Sequence, residues 1–248
     1  MYSNDDIDDP RRQWLIMALS TGLFGATTAH ANAADFFGSR PSRLPAGQSV
    51  YGVSGDVTVN NQAVTMSSVI KPGDSLQTGK NSQLIFVVAS HAMILRGDSR
   101  MVIEPPASAP AESSLSNLLI GGLRMLSGKL LSVSRNSPMR VTTPTATVGI
   151  RGTGFYIEAD PEQSYFCTCY GATEVQANDD PESKESIVAS HHDRPVYIVK
   201  DGGRGKNIRN AAFLNHTDQE LALIETLVGR QTPFVFSKDA YSAPRRTY

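Results

Sequence analysis

Residues 50–61 read Val-Tyr-Gly-Val-Ser-Gly-Asp-Val-Thr-Val-Asn-Asn. Tyr51, Val53, Gly55, Val57 and Val59 share one parity, with Ser54, Asp56 and Thr58 between them. Successive side chains of a strand point to opposite faces, so a period of two marks a half-buried β-strand and not a helix. Asn60-Asn61 supplies a turn, and Pro72-Gly73-Asp74, Thr78–Asn81 and Arg96–Ser99 supply others. Between them lie Gln83–Val88, Ala92–Leu95 and Met101–Glu104, each short and aliphatic. Short strands at this spacing predict an all-β fold, a β-sandwich or β-roll.

Downstream, residues 105–114 are a Pro/Ser/Ala linker by composition. In Leu115–Leu131, Gly121, Gly122 and Gly128 weigh against a helix, so two bent strands are expected. Strands resume at Met139–Thr143, Phe155–Ala159, Tyr165–Tyr170 with Glu174–Gln176, and Val196–Val199; Asn178–Glu185 reads as a solvated hairpin loop. One short C-terminal helix is signposted. Thr217 and Glu220 fit a capping box, Leu221, Ile224, Leu227 and Val228 form one face, and Gly229 stops the chain, giving a helix over 218–229.

The amino-terminal residues have the layout of an export signal. Arg11-Arg12 precedes an apolar run from Trp14 to Ala26, and two A-x-A sites follow, Ala29–Ala31 and Ala31–Ala33. The run is broken by Ser20 and Thr21 and falls short of the roughly 20 apolar residues that span a bilayer. Arg11, Arg12, Trp14 and Leu15 also fit the twin-arginine pattern of two arginines, any residue, an aromatic and a leucine. The expectation is therefore a periplasmic protein of a Gram-negative bacterium, cleaved after Ala31 or Ala33. An uncleaved, membrane-tethered form is the alternative.

The chain of 248 residues carries 23 Lys+Arg against 24 Asp+Glu. Without the four aspartates and two arginines of residues 1–33, 21 basic face 20 acidic residues. So even a balance gives no electrostatic reason to expect nucleic acid or an anionic membrane as partner. The expected layout is a signal peptide over 1–33, a linker over 34–48, a β domain over 49–200 and an extension over 201–248.

Around Thr143-Pro144-Thr145-Ala146 and Ile150-Arg151-Gly152-Thr153 the sequence resembles the FecR domain, whose signature is Thr-Pro-x-Ala leading into Ile-Arg-Gly-Thr and an aromatic strand. Pro72-Gly73-Asp74-x-Leu76-x-Thr78-Gly79 fits that family's earlier half, and the resemblance runs from about Ser49 to Ala177. It implies an extracytoplasmic β domain used for interaction, with an envelope protein or periplasmic ligand as partner. The family's best-known members relay an outer-membrane receptor's signal to a sigma factor. Only some ten residues precede the apolar run here, so that mechanism is not expected to carry over. In the motif, Pro144 supplies a turn, and Gly149 and Gly152 permit unusual backbone shapes. Arg151 is expected to lock adjacent strands by binding carbonyls.

Cys167-Thr168-Cys169 is the segment most suggestive of chemistry. On a strand both thiols face one side, with Cα atoms roughly 6.5–7 Å apart, at the upper edge of disulfide geometry. Such a pair suits zinc or copper(I), or a thiol-redox role, with His191 or His192 as a further ligand; only one of two adjacent residues can point toward the sulfurs. The plainer reading is two small buried residues in a core strand beside Tyr165, with no cofactor. Catalytic signatures such as G-x-S-x-G, H-E-x-x-H and a P-loop are absent, Gly202–Lys206 reads as a basic turn, and His91 has no evident role. The sequence therefore predicts a non-catalytic binding module, with a metal or thiol centre at Cys167 and Cys169 as the alternative.

Overall fold

The computed structural model describes residues 42–106, 119–134 and 138–234. The leader with Arg11, Arg12, Trp14 and Leu15, and most of the 105–114 linker, lie outside the described residues. Among the described residues no helix is long and apolar enough to cross a membrane.

The strands are β1 (Val50–Ser54), β2 (Val57–Val59), β3 (Gln62–Ala63), β4 (Ser75–Thr78), β5 (Gln83–Val88), β6 (His91–Leu95), β7 (Arg100–Glu104), β8 (Gly122–Ser134), β9 (Met139–Thr142), β10 (Ala146–Ala159), β11 (Gln163–Ala177), β12 (Lys184–Ala189), β13 (Val196–Val199) and β14 (Ile208–Asn210); one helix, α1 (Asp218–Leu227), follows. The fold is all-β with a short C-terminal helix. All strands join one sheet, antiparallel except where β8 meets β9.

Three long strands change partners along their length. The Gly128–Ser134 half of β8 pairs with β10 and β6, whereas its first half pairs with β7 and β9. β10 passes from β9 to β8, and β11 from β13 to β12. A strand that switches partners turns a corner, which bends the sheet into a roll. Corners need special backbone. At Gly171 (φ +91) a Cβ would sit 2.6 Å from the Gly152 carbonyl oxygen, opposite the bulge where β10 and β11 slip register.

The larger apolar cluster, from Val50 to Ile198, fills one face of the sheet. On the other face Ile85, Ala92, Ile94, Leu131, Val133, Tyr156, Tyr165, Cys167 and Cys169 pack against Leu221, Leu223, Ile224 and Leu227 of α1.

Several local expectations change. The run 50–59 is two strands, broken at Gly55 (φ +69). A bulge near Val50 also sends Tyr51 to the α1 side while Val53 packs on the larger cluster, so the single parity fails. Within the Leu115–Leu131 stretch, residues 122–131 belong to one strand, bent at Gly128 (φ +91). Tyr165–Tyr170 and Glu174–Gln176 are likewise one strand. Asn60 and Asn61 (φ 50 and 64) form the tight turn between β2 and β3. The Asn178–Glu185 loop is not wholly solvated: Asp180 is buried, accepting from Ser183 Oγ at 2.6 Å and from the Gly205 amide at 2.6 Å.

In the segment from Thr143 to Thr153, residues Thr143, Pro144, Thr145 and Ala146 make the turn from β9 to β10. Thr143 Oγ1 accepts from the Ala146 amide at 2.9 Å. Ile150 and Thr153 are buried, and Gly152 has φ +65, whereas Gly149 is not among the left-handed glycines. Arg151 is exposed and pairs with Glu174 at 2.9 Å. It therefore ties β10 to β11 by a surface ion pair rather than by buried carbonyls, because its position in β10 faces solvent.

Candidate metal centre

β11 sets both sulfurs. Cys167 pairs across the ladder with Tyr156, and the alternation of side chains puts Tyr165, Cys167 and Cys169 on the α1 side of the sheet. Both cysteines are free thiols and 0 % exposed.

His192 comes from the loop after β12. That loop is folded by Asp193, whose carboxylate accepts from the Ser190 and His191 amides at 2.6 and 3.3 Å. The His192 amide donates to the Cys169 carbonyl at 2.9 Å, and His192 itself has φ 54. A non-glycine residue in the left-handed region costs of order 1 kcal/mol and marks a backbone held in place for a reason. The side chain then reaches inward, with Nδ1 3.5 Å from Cys167 Sγ.

His216 lies just before the α1 N-cap, and sequence reasoning did not single it out. Its position follows from the strap of residues 211–217 that crosses the sheet. Tyr165 Oη donates to the Ala212 carbonyl at 3.0 Å and accepts from the Leu214 amide at 3.1 Å. Asn215, at φ 57, donates to Glu158 at 2.7 Å, and the His216 ring stacks on Tyr156 at 4.5 Å. His216 Nε2 ends 3.3 Å from Cys169 Sγ and 3.3 Å from His192 Nδ1. The only sequence signal for it was a lone histidine two residues from an acidic helix start, with nothing to tie it to a pair 47 residues earlier.

One donor atom from each of Cys167, Cys169, His192 and His216 therefore lies within 4.8 Å of all the others. Tetrahedral zinc bonds of the usual length imply N···N edges of about 3.3 Å and S···N edges of about 3.5 Å. The spacings of 3.3, 3.3 and 3.5 Å match those edges.

Proton positions fit the same use. His216 Nδ1 meets the Leu214 carbonyl at 2.6 Å, which can only accept, so Nδ1 carries the proton and Nε2 is a lone pair. His192 Nε2 donates to Asp218 at 3.0 Å, leaving Nδ1 free toward the sulfurs. Outer partners that fix the tautomer in this way are the usual companions of metal-bound histidine. His191 does not join the sulfurs; its Nε2 lies 2.9 Å from Asp218 and its ring is half exposed. Phe213 and Phe234 wall the cluster, 4.3 Å from the His192 ring and 4.4 Å from the His191 ring.

The electrostatics divide the two thiols. In the metal-free cluster a hydrogen bond from Cys169, with further ones from His192 and His216 when their inward nitrogens also carry a proton, outweighs burial and holds Cys167 down at about 4. Burial and the neighbouring thiolate push Cys169 well up. Burial alone would lower His192, but the Asp218 carboxylate and the Cys167 sulfur raise it. Asp218 is held below the usual carboxylate range against its burial by hydrogen bonds from His192 and His191. Metal-free, the cluster is a thiolate, a thiol and two imidazoles sharing few protons; ligation needs all four donors deprotonated.

The fold and cluster define an all-β module with a buried Cys2His2 donor set. No family model matches the chain, and no curated protein does. Two crystal structures, each described as a "putative anti-sigma factor" from Parabacteroides distasonis ATCC 8503, are similar in part. They are 15 % and 17 % identical, with TM-scores of 0.42 and 0.41. Each match covers 55 % of this chain, which spans 58 % of the length of either relative.

Proposed function

We propose that the chain is an exported, non-catalytic module that binds a transition-metal ion, with zinc as the ion the site suits best. The observation that carries this reading is the convergence of one donor atom from each of Cys167, Cys169, His192 and His216 within 4.8 Å, with three of the edges at 3.3–3.5 Å. Two thiolates and two neutral imidazoles sum to a charge of about −2, which a dication cancels and copper(I) does not. In a site this buried an uncompensated charge is costly, so charge balance favours zinc. Four protein donors also fill the coordination sphere, leaving no open position for a substrate, as in structural rather than catalytic zinc sites.

The twin-arginine-like leader supports a periplasmic location by a route that carries folded cargo. The resemblance to the FecR domain supports an envelope protein or periplasmic ligand as the module's partner. A thiol-redox role is the weaker reading. The low Cys167 thiolate favours it, but with both cysteines at 0 % exposure neither sulfur is accessible to a partner.

The test is elemental analysis of purified protein together with the visible spectrum after cobalt(II) substitution. One zinc per chain and a tetrahedral cobalt–thiolate band are expected, both lost in Cys167→Ser/Cys169→Ser. In Asp218→Asn the affinity should fall by about 10–100-fold with the ligands intact. Equal trace metal in wild type and the double variant would sink the proposal.

A further inference from the structure

The cluster joins pieces of chain that lie far apart in sequence. Cys167 and Cys169 belong to the sheet, whereas His216 and the outer partner Asp218 belong to the segment that crosses it. That segment covers an apolar face formed by Ile85, Ile94, Leu131 and Val133. Apart from the ligand atoms, it is held by the packing of Leu221, Leu223, Ile224 and Leu227 and by a few polar anchors. α1 has ten residues, and isolated helices shorter than about 12–15 residues are marginal in water. One anchor between α1 and the sheet, Glu220 to Arg96 at 2.8 Å, is a buried ion pair, which contributes little net stability because both charges lose their water; Tyr170 Oη donating to Glu225 is another. The backbone is also held in the left-handed region at the ligand His192 itself and at Asn215, which precedes His216.

Resting on the metal reading above, we infer that ion binding and docking of residues 211–228 across this face are one coupled equilibrium. The ion ties the segment to β11, and the docked segment supplies half of the site's histidines and its outer carboxylate. By linkage, whatever loosens the segment must weaken the ion by the same factor, and loss of the ion must loosen the segment. The occupant of the sheet's second face is thus this chain's own segment, and zinc adds to its hold.

The full chain, stripped with a chelator and reloaded with zinc, tests this by hydrogen exchange with mass-spectrometric readout. Amides of 212–228 should exchange at least tenfold faster in the stripped protein, while those of β8 and β10 stay unchanged. Ile224→Ala, at a buried α1 residue outside the four ligands, should weaken zinc at least tenfold in a competition titration. If zinc binds at one per chain yet exchange over 212–228 is the same with and without it, the coupling is wrong and the metal reading stands. Zinc affinity unchanged in a folded Ile224→Ala variant has the same meaning. If wild-type chain binds no zinc, both readings fall together.

Discussion

His91 shows how one buried base can govern a pH response far from the ligand cluster. It sits at 1 % exposure in β6, and its Nδ1 has no hydrogen-bond partner. Burial, and then the Arg230 charge, lower its pKa from 6.5 to about 4. The unfolded chain therefore takes up this proton first as pH falls. The neutral form's contribution is complete above pH 6.5 and is lost as the solution passes down to about 4, a cost of about 3 kcal/mol at the bottom of that window. His192 is shifted the opposite way and acts in the opposite sense. Comparing His91→Gln with wild type at matched pH isolates the first effect. The urea midpoint of the variant should fall less steeply between pH 6.5 and 4, and parallel curves would refute the assignment.

At the scale of elements, the bend of β11 is what separates the cysteine pair from the β12 pairing region. Gly171 lies two residues past Cys169 and has φ +91. Gly171→Ala would place a Cβ 2.6 Å from the Gly152 oxygen and 2.7 Å from Thr153 Cγ2. Positive φ and overpacking each cost about 1–3 kcal/mol, so thermal denaturation should show a loss at least that large. Gly203→Ala, at φ +89 but with nothing within 4 Å, is the control that carries only the first cost. How much of this was legible differs by element. The Thr217–Glu220 capping box was readable because its two contacts are three residues apart, and both occur. The orientation of Cys167 and Cys169 followed from strand alternation. β4, β12 and β14 were not read as strands: their four, six and three residues take sheet geometry from neighbours rather than from a strong pattern. His216 was invisible for a related reason, since only the path of residues 211–217 over Tyr165 and Tyr156 brings it to the sulfurs.

For the molecule as a whole, export and metal binding make one joint prediction. Periplasmic protein should have a mature amino terminus at Asn32 or Ala34, and replacing Arg11 and Arg12 by lysine should retain it in the cytoplasm as precursor. A full-length amino terminus on protein taken from the periplasm would contradict this. The spacing of the two cysteines adds a constraint on how long such a molecule can persist. Sulfurs two residues apart on an extended strand cannot close a relaxed bond to each other. An ion-free chain in an oxidising compartment thus lacks the harmless oxidised form that a vicinal pair elsewhere would offer. Where loss of the ion loosens the covering segment, peroxide would reach the Cys167 thiolate and carry it up the sulfenic-to-sulfinic ladder, and the last step is not reversed by ordinary thiols. If the chain is exported as proposed, filling the site before arrival is then a matter of lifespan: a chain that left the cytoplasm without its ion would age in one direction only.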